Sequence, residues 1–292
     1  MRYYSKSYKT FQTLNYFLIA VLSLACILPL IHIFSVSLSS KDAATANIVN
    51  FFPVDLTFAA YKETLGNDNF LRALSIGFQR TVIGTLLSLA VTMMAAYSLS
   101  KDNFRFRGRN VYSWYFIVIM LFHGGLIPTY LVVSGTGLMD SIWALIIPSA
   151  VNVWNMILML NFFRNLPPEL EEAALIDGAG HFRTLFSIFI PVSMPSVATI
   201  ILFTMVMHWN SWFDGIIYMT KIHDYPLASF LHTIVVKENF TEVGVDLAAL
   251  NQISNRTVKA SQIFIGSLPI LLVYPFLQKY FVKGIVMGSV KG

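Results

Sequence analysis

Charge is scarce in this chain. Of its 292 residues only 12% are charged while 56% are hydrophobic, against about 25% charged in an ordinary soluble domain. With a mean hydropathy of +0.65, that shortage excludes an extensive water-facing surface and points to lipid. Cysteine is almost missing: Cys26 stands alone in an apolar run, which excludes a disulfide framework and a thiolate metal site. His32, His123, His208, His223 and His232 have neither zinc-ligand spacing nor catalytic companions. No stretch matches the phosphate-binding loop G-x-x-x-x-G-K-[ST]. Sustained period-two alternation is also missing, against a closed β-barrel. The net charge of +5 is modest, and its basic residues sit between apolar spans, so no nucleic-acid partner is expected.

What is present is length in apolar runs. A span needs roughly 20 apolar residues, and six segments qualify, at about 14–38, 75–100, 111–134, 141–161, 191–219 and 261–281. The fold expected is an all-α integral membrane protein with six transmembrane helices, one transmembrane domain over 1–292, because backbone amides in lipid must bond within their own segment. The run after Arg2, Lys6 and Lys9 is too long for a signal-peptide core, so it reads as an uncleaved first span. Twelve of the twenty Lys and Arg residues fall on one side, among them Lys101, Arg105, Arg107, Arg109, Arg164 and Arg183. Both termini are therefore expected in the cytoplasm. The longer segments near 39–74 and 220–260 are expected to cap the outer face. Asn239-Phe-Thr241 and Asn255-Arg-Thr257 match a glycosylation pattern that chance often produces.

The loop between the fourth and fifth spans, 165–190, carries the most information. Pro167 and Pro168 suit a helix start, where a missing amide hydrogen costs nothing. Glu169, Glu171 and Glu172 oppose the positive end of the helix dipole. Gly178 fits a carboxy-terminal stop with positive φ, and Ala173 and Ala174 leave a smooth surface for close approach. Pro191 and Pro195 mark the return into the membrane.

These residues resemble the EAA loop of permease subunits in ATP-binding-cassette importers: Glu172-Ala173-Ala174, Asp177-Gly178-Ala179, then Pro191 and Pro195 at the family's spacing. The likeness extends over Phe122 to Tyr130, Trp143 to Asn161, His208 to Gly215 and Lys279 to Gly284. It is similar to the carbohydrate-uptake class, most of all to the second permease of alginate or pectin-fragment (rhamnogalacturonan) oligosaccharide importers. The resemblance implies a non-catalytic subunit in a bacterial inner membrane, with a second homologous permease, two ATP-binding-cassette ATPases that hold ATP and magnesium, and an extracytoplasmic solute-binding protein. It implies no cofactor in this chain, and it assigns coupling to the ATPase to Glu172, Ala173, Ala174, Asp177 and Gly178.

Ionisable and amide side chains at membrane depth are candidates for the substrate path. Arg80 either offers charge to an anionic sugar, snorkels outward, or pairs with Asp214. His208, Trp209, Asn210, Ser211, Trp212 and Asp214 in span five, with Asn152, Trp154 and Asn155 in span four, combine aromatic faces with amides, which suits pyranose rings. The same residue types also serve as interhelical glue and interface anchors. The competing function is an ion-coupled secondary transporter; such proteins bury carboxylates at mid-membrane and often show inverted repeats. Here Asp214 is the one carboxylate clearly inside a predicted span and no repeat is visible.

Overall fold

The computed structural model describes residues 6–102, 105–122, 124–240 and 256–288. Among the described residues three helices are long and apolar enough to cross a bilayer unbroken. They are α1 (Lys6–Ser37), α4 (Asp68–Ser100) and the last, α15 (Arg256–Gly288). No strand occurs among the described residues. Predicted spans one, two and six lie within these helices. The predicted glycosylation matches run into 241–255, outside the described residues, as do His123, Arg2 and Lys291.

Contacts divide the chain into two compact units. The first comprises Met1–Leu71 and Thr233–Leu268. Here α2 (Lys41–Thr45) and α3 (Ala59–Leu65) follow α1, and Ser40 caps α2 by accepting from the Ala43 amide. Val36, Ala43, Ala44 and Val49 bury against Ala260 of α15. Arg256 donates to Asn47 and to the Ala44 carbonyl, and the hydroxyls of Thr64 and Ser261 are bonded. The segment after span one thus forms a small packed cap on α15, whereas the apolar stretch of α1 is unburied by this chain.

The second unit, Arg72–His232 with Pro269–Gly292, contains the predicted spans three to five, and each is broken where one continuous helix was expected. Span three becomes α5 (Arg109–Leu121) and α6 (Leu126–Gly135). Span four becomes α7 (Ile142–Ile146) running into a 3-10 turn at Ile147–Ser149, then α8 (Val153–Arg164), bent by 49°. The break falls after Pro148, and the Asn152 side chain restarts the helix by accepting from the Asn155 amide at 3.0 Å. Span five is α12 (Met194–Asn210), which stops where Ser211 turns extended; α13 (Phe213–Tyr218) follows. Before α12 run α9 (Glu169–Ile176), α10 (His181–Thr184), a π turn at Leu185–Phe189 and α11 (Ile190–Val192). The chain then bends by 89° near Ser193, between Pro191 and Pro195, where proline removes amide donors. Finally α14 covers Leu227–Phe240. The core of this unit joins α4, α8, the π turn and α12 through Tyr97, Met156, Met159, Phe163, Phe189 and Val197.

Candidate functional site

Two constellations in the second unit each gather several of the candidate residues. The first is the 165–190 loop. Helix α9 opens at Pro168 with Glu169, Glu171 and Glu172 in its first turn. It closes with Gly178 at φ 73°, the Gly178 amide donating to the Leu175 carbonyl and the Ala179 amide to that of Ala174. That is the Schellman stop expected of this glycine. Glu172, Ala173, Asp177 and Gly178 are exposed, while Ala174 is buried. Ile176 is 86% exposed and Phe182 is 70% exposed, so the outward face is more apolar than the alanine pair alone suggests.

Glu171 behaves differently from its neighbour. It is buried, its Oε1 2.8 Å from Lys101 Nζ and its Oε2 3.0 Å from Arg105 Nη1. The Lys101 ammonium lies 3.7 Å from the ring centre of Tyr97 and 4.4 Å from that of Phe189. Burial pulls the Lys101 pKa below the ordinary lysine value, opposed by the bond and charge of Glu171. A cavity of about 700 Å³, lined by Tyr97, Lys101, Arg105, Leu175, His181 and Phe182, opens on one side of this cluster. In the sequence Lys101 and Arg105 read only as loop charge, and Glu171 only as a partner of the helix dipole. Their convergence comes from the packing of α9 against the end of α4, which no motif signals.

The second constellation surrounds Arg80, which is 1% exposed. Its Nη1 donates to the Ser211 carbonyl at 2.9 Å and to Asp214 Oδ1 at 3.1 Å, and its Nη2 to the Leu145 carbonyl at 3.3 Å and to Asp214 Oδ2. Asp214 also accepts from the Ser211 hydroxyl and the Gly215 amide. Of the alternatives for Arg80, the structure realises pairing with Asp214. The guanidinium sits at the break between α12 and α13, where its Nη1 supplies a donor to the carbonyl of Ser211, and its Nη2 reaches across to α7 at Leu145.

The remaining candidates do not converge on one opening. His208 is buried over Gly84, with Nε2 3.5 Å from the Ser88 hydroxyl. Asn155 is buried and donates to the Thr204 hydroxyl at 3.3 Å, Asn152 caps α8, and Trp209 is buried. Trp154, Asn210 and Trp212 are exposed. Trp212 stacks on His232, ring centres 3.6 Å apart and 7° from parallel, a partner that the sequence did not suggest. Among the described residues no group of three His, Cys, Asp or Glu is placed to hold a metal ion.

Among the described residues, long and broken apolar helices joined by an acidic-headed loop helix make up a helical, multi-pass membrane protein. The chain belongs to the permease subunits of ATP-binding-cassette transporters. It is 36% identical to the polygalacturonan/rhamnogalacturonan transport system permease protein YtcP of Bacillus subtilis, over 97% of this chain and 99% of that protein. It is 31% identical to the maltodextrin transport system permease protein MalD of Streptococcus pneumoniae, over 96% of each. A solved structure of a bacterial ABC transporter involved in the import of the acidic polysaccharide alginate matches with a TM-score of 0.85 and 33% identity, covering 96% of this chain and all of that one. No protein-family profile matches the chain. The family is non-catalytic, ATPase activity lying in a separate partner. Membership sets aside the ion-coupled alternative.

Proposed function

We propose that this chain is one half of the translocation path of an importer for acidic oligosaccharides, such as pectin or alginate fragments, in a bacterial inner membrane. It acts as a single permease domain over 1–292. Three continuous helices and three bent pairs make six crossings, with both termini in the cytoplasm. A second permease completes the path, two ATPases bind ATP and magnesium, and an extracytoplasmic binding protein delivers the sugar. Helix α9 is the coupling helix, presenting Glu172, Ala173, Asp177 and Gly178, with Ala174 packed beneath, to an ATPase.

The observation that carries this reading is the split face of α9. One side is anchored by Glu171, and the other ends in exposed Ile176 beside the left-handed turn at Gly178. An anchored helix with an exposed apolar edge is suited to docking and to transmitting force. Along the path, Asn210 and Trp212 are the candidates open to sugar; Arg80, Asp214, His208, Trp209, Asn152 and Asn155 shape the frame behind them. Relatives that carry polygalacturonan, rhamnogalacturonan or alginate support the acidic class over neutral sugars.

The test is uptake by the complete complex in proteoliposomes supplied with ATP and its binding protein. Oligogalacturonate should accumulate and maltodextrin should not. Preferential uptake of maltodextrin would overturn the substrate class, and ATP-independent uptake would overturn the mechanism.

A further inference from the structure

Helix α9 is joined to the membrane helices by two covalent routes. Backward, it meets α8 through the non-helical residues 165–168. Forward, it reaches α12 through α10, the π turn, α11 and the 89° bend. Both routes contain irregular backbone, where a helix yields most readily.

A third route is short and made of side chains. Glu171 grips Lys101 and Arg105 just beyond the last turn of α4. The same end of α4 collects the other neighbours: Arg164 of α8 donates to the Leu99 carbonyl at 3.2 Å, and Arg109 of α5 to the Lys101 carbonyl at 3.1 Å. Glu171 is 7% exposed and Lys101 is 8% exposed, with two aromatic rings over the ammonium. Both charges are little exposed, so parting them forfeits an attraction that surrounding water only partly screens, and the pair resists separation more than a fully solvated one. From Ser100, the residue before Lys101, back to Arg80 the α4 helix is unbroken and spans about 30 Å.

We propose that Glu171 is a positioning residue, the joint through which displacement of α9 is delivered to α4 and along it to the Arg80–Asp214 pair. This rests on α9 being the helix held by the ATPase. Glu172 faces the motor and Glu171 faces the membrane helices, so adjacent carboxylates divide docking from transmission. Helix α4 moves with α9 as a rod, while the bend near Ser193 absorbs the mismatch with α12.

The experiment uses the complete reconstituted complex and reads oligosaccharide taken up per ATP hydrolysed. Glu171→Gln should co-purify with the ATPase and hydrolyse ATP within about twofold of the parent, while uptake per ATP falls about tenfold. Lys101→Arg, which keeps the cation, should retain uptake per ATP. Should Glu171→Gln fail to assemble, Lys101→Cys with Glu171→Cys in a Cys26→Ser background, joined by a reducible bismaleimide spacer, replaces the joint covalently. Uptake per ATP should then drop when the spacer is cleaved. An unchanged ratio in Glu171→Gln, or a ratio indifferent to cleavage, overturns the joint. A separate arm addresses docking: Ile176→Asp should lose the ATPase on purification. Retention would overturn the docking on which the joint rests, whereas an unchanged ratio in Glu171→Gln with docking intact overturns the joint alone.

Discussion

The imidazole of His208 lies so close over Gly84 that a Cβ added at position 84 would come within 2.7 Å of its Cε1 and Nε2. Helices α4 and α12 therefore meet with the His208 ring seated on a glycine, and no second side chain fits beneath it. Gly84→Ala is expected to destabilise the purified subunit by about 1–3 kcal/mol, as overpacking does. Gly180→Ala, with a negative φ and open space around it, should be close to neutral. Thermal unfolding midpoints of the two variants in one detergent provide the comparison.

The two halves of the Arg80–Asp214 pair should not be equivalent. Asp214→Asn leaves an amide that still accepts from Arg80. Arg80→Met removes the cation and also the donor of the Ser211 and Leu145 carbonyls. Breaking a buried pair from one side costs about 3–5 kcal/mol. Asp214→Asn leaves the guanidinium, 1% exposed, without its counter-charge and is expected near that range. The carboxylate left by Arg80→Met is partly exposed and keeps the Ser211 and Gly215 donors, so its cost is expected to come mainly from the lost carbonyl bonds. A midpoint for Asp214→Asn unchanged from the parent would show that the counter-charge contributes nothing.

At Gly178 a Cβ would meet no other atom within 4 Å, so the cost of substitution there is backbone strain alone. Gly178→Val forces a β-branched residue into the left-handed region, at about 1–2 kcal/mol, and should reduce uptake while ATP hydrolysis persists. Gly178→Asn, which tolerates that region, should retain most uptake. The ratio of uptake to hydrolysis distinguishes them.

Asp140 fastens two loops. Its Oδ1 accepts from the Thr220 amide at 2.7 Å and from the Thr220 hydroxyl at 2.8 Å, and its own amide donates to the Tyr218 carbonyl. Those bonds hold its pKa below 3.8, the ordinary carboxyl value. A depressed carboxyl contributes its stability in full above that ordinary value and loses it as pH falls through the lower folded one. Protease cleavage around 136–141 and 219–226 should therefore stay flat down to about pH 4 and rise only in stronger acid. Thr220→Val, lacking the hydroxyl, should shift the rise to higher pH.

The positions of the apolar helices were legible in the sequence because hydropathy is a local property: α1, α4 and α15 fall where the runs of Leu, Ile and Phe lie. The loop was legible too, since Pro168 and Gly178 act on their own backbone. The breaks in spans three to five were not. At Ser211 the helix ends against a guanidinium 131 residues away in the chain, and no window of sequence contains that encounter. The same holds for Glu171. In the string Glu-Leu-Glu-Glu the acidic residues read alike, and only the packing of α9 against the end of α4 decides which one turns inward. Pairing of Arg80 with Asp214 was one of several readings that residue type allowed, and tertiary contact selected it.

The division of labour between Glu171 and Glu172 sets a rule for the length of the helix after them. Successive residues on a helix point about 100° apart, so one residue inserted or removed between Glu172 and Ile176, inside α9, would swing the apolar docking edge round relative to the anchoring carboxylate of Glu171. Point substitutions in that helix leave its phase intact, whereas a single-residue change in its length scrambles it. Spacing, more than composition, is what this stretch has to preserve.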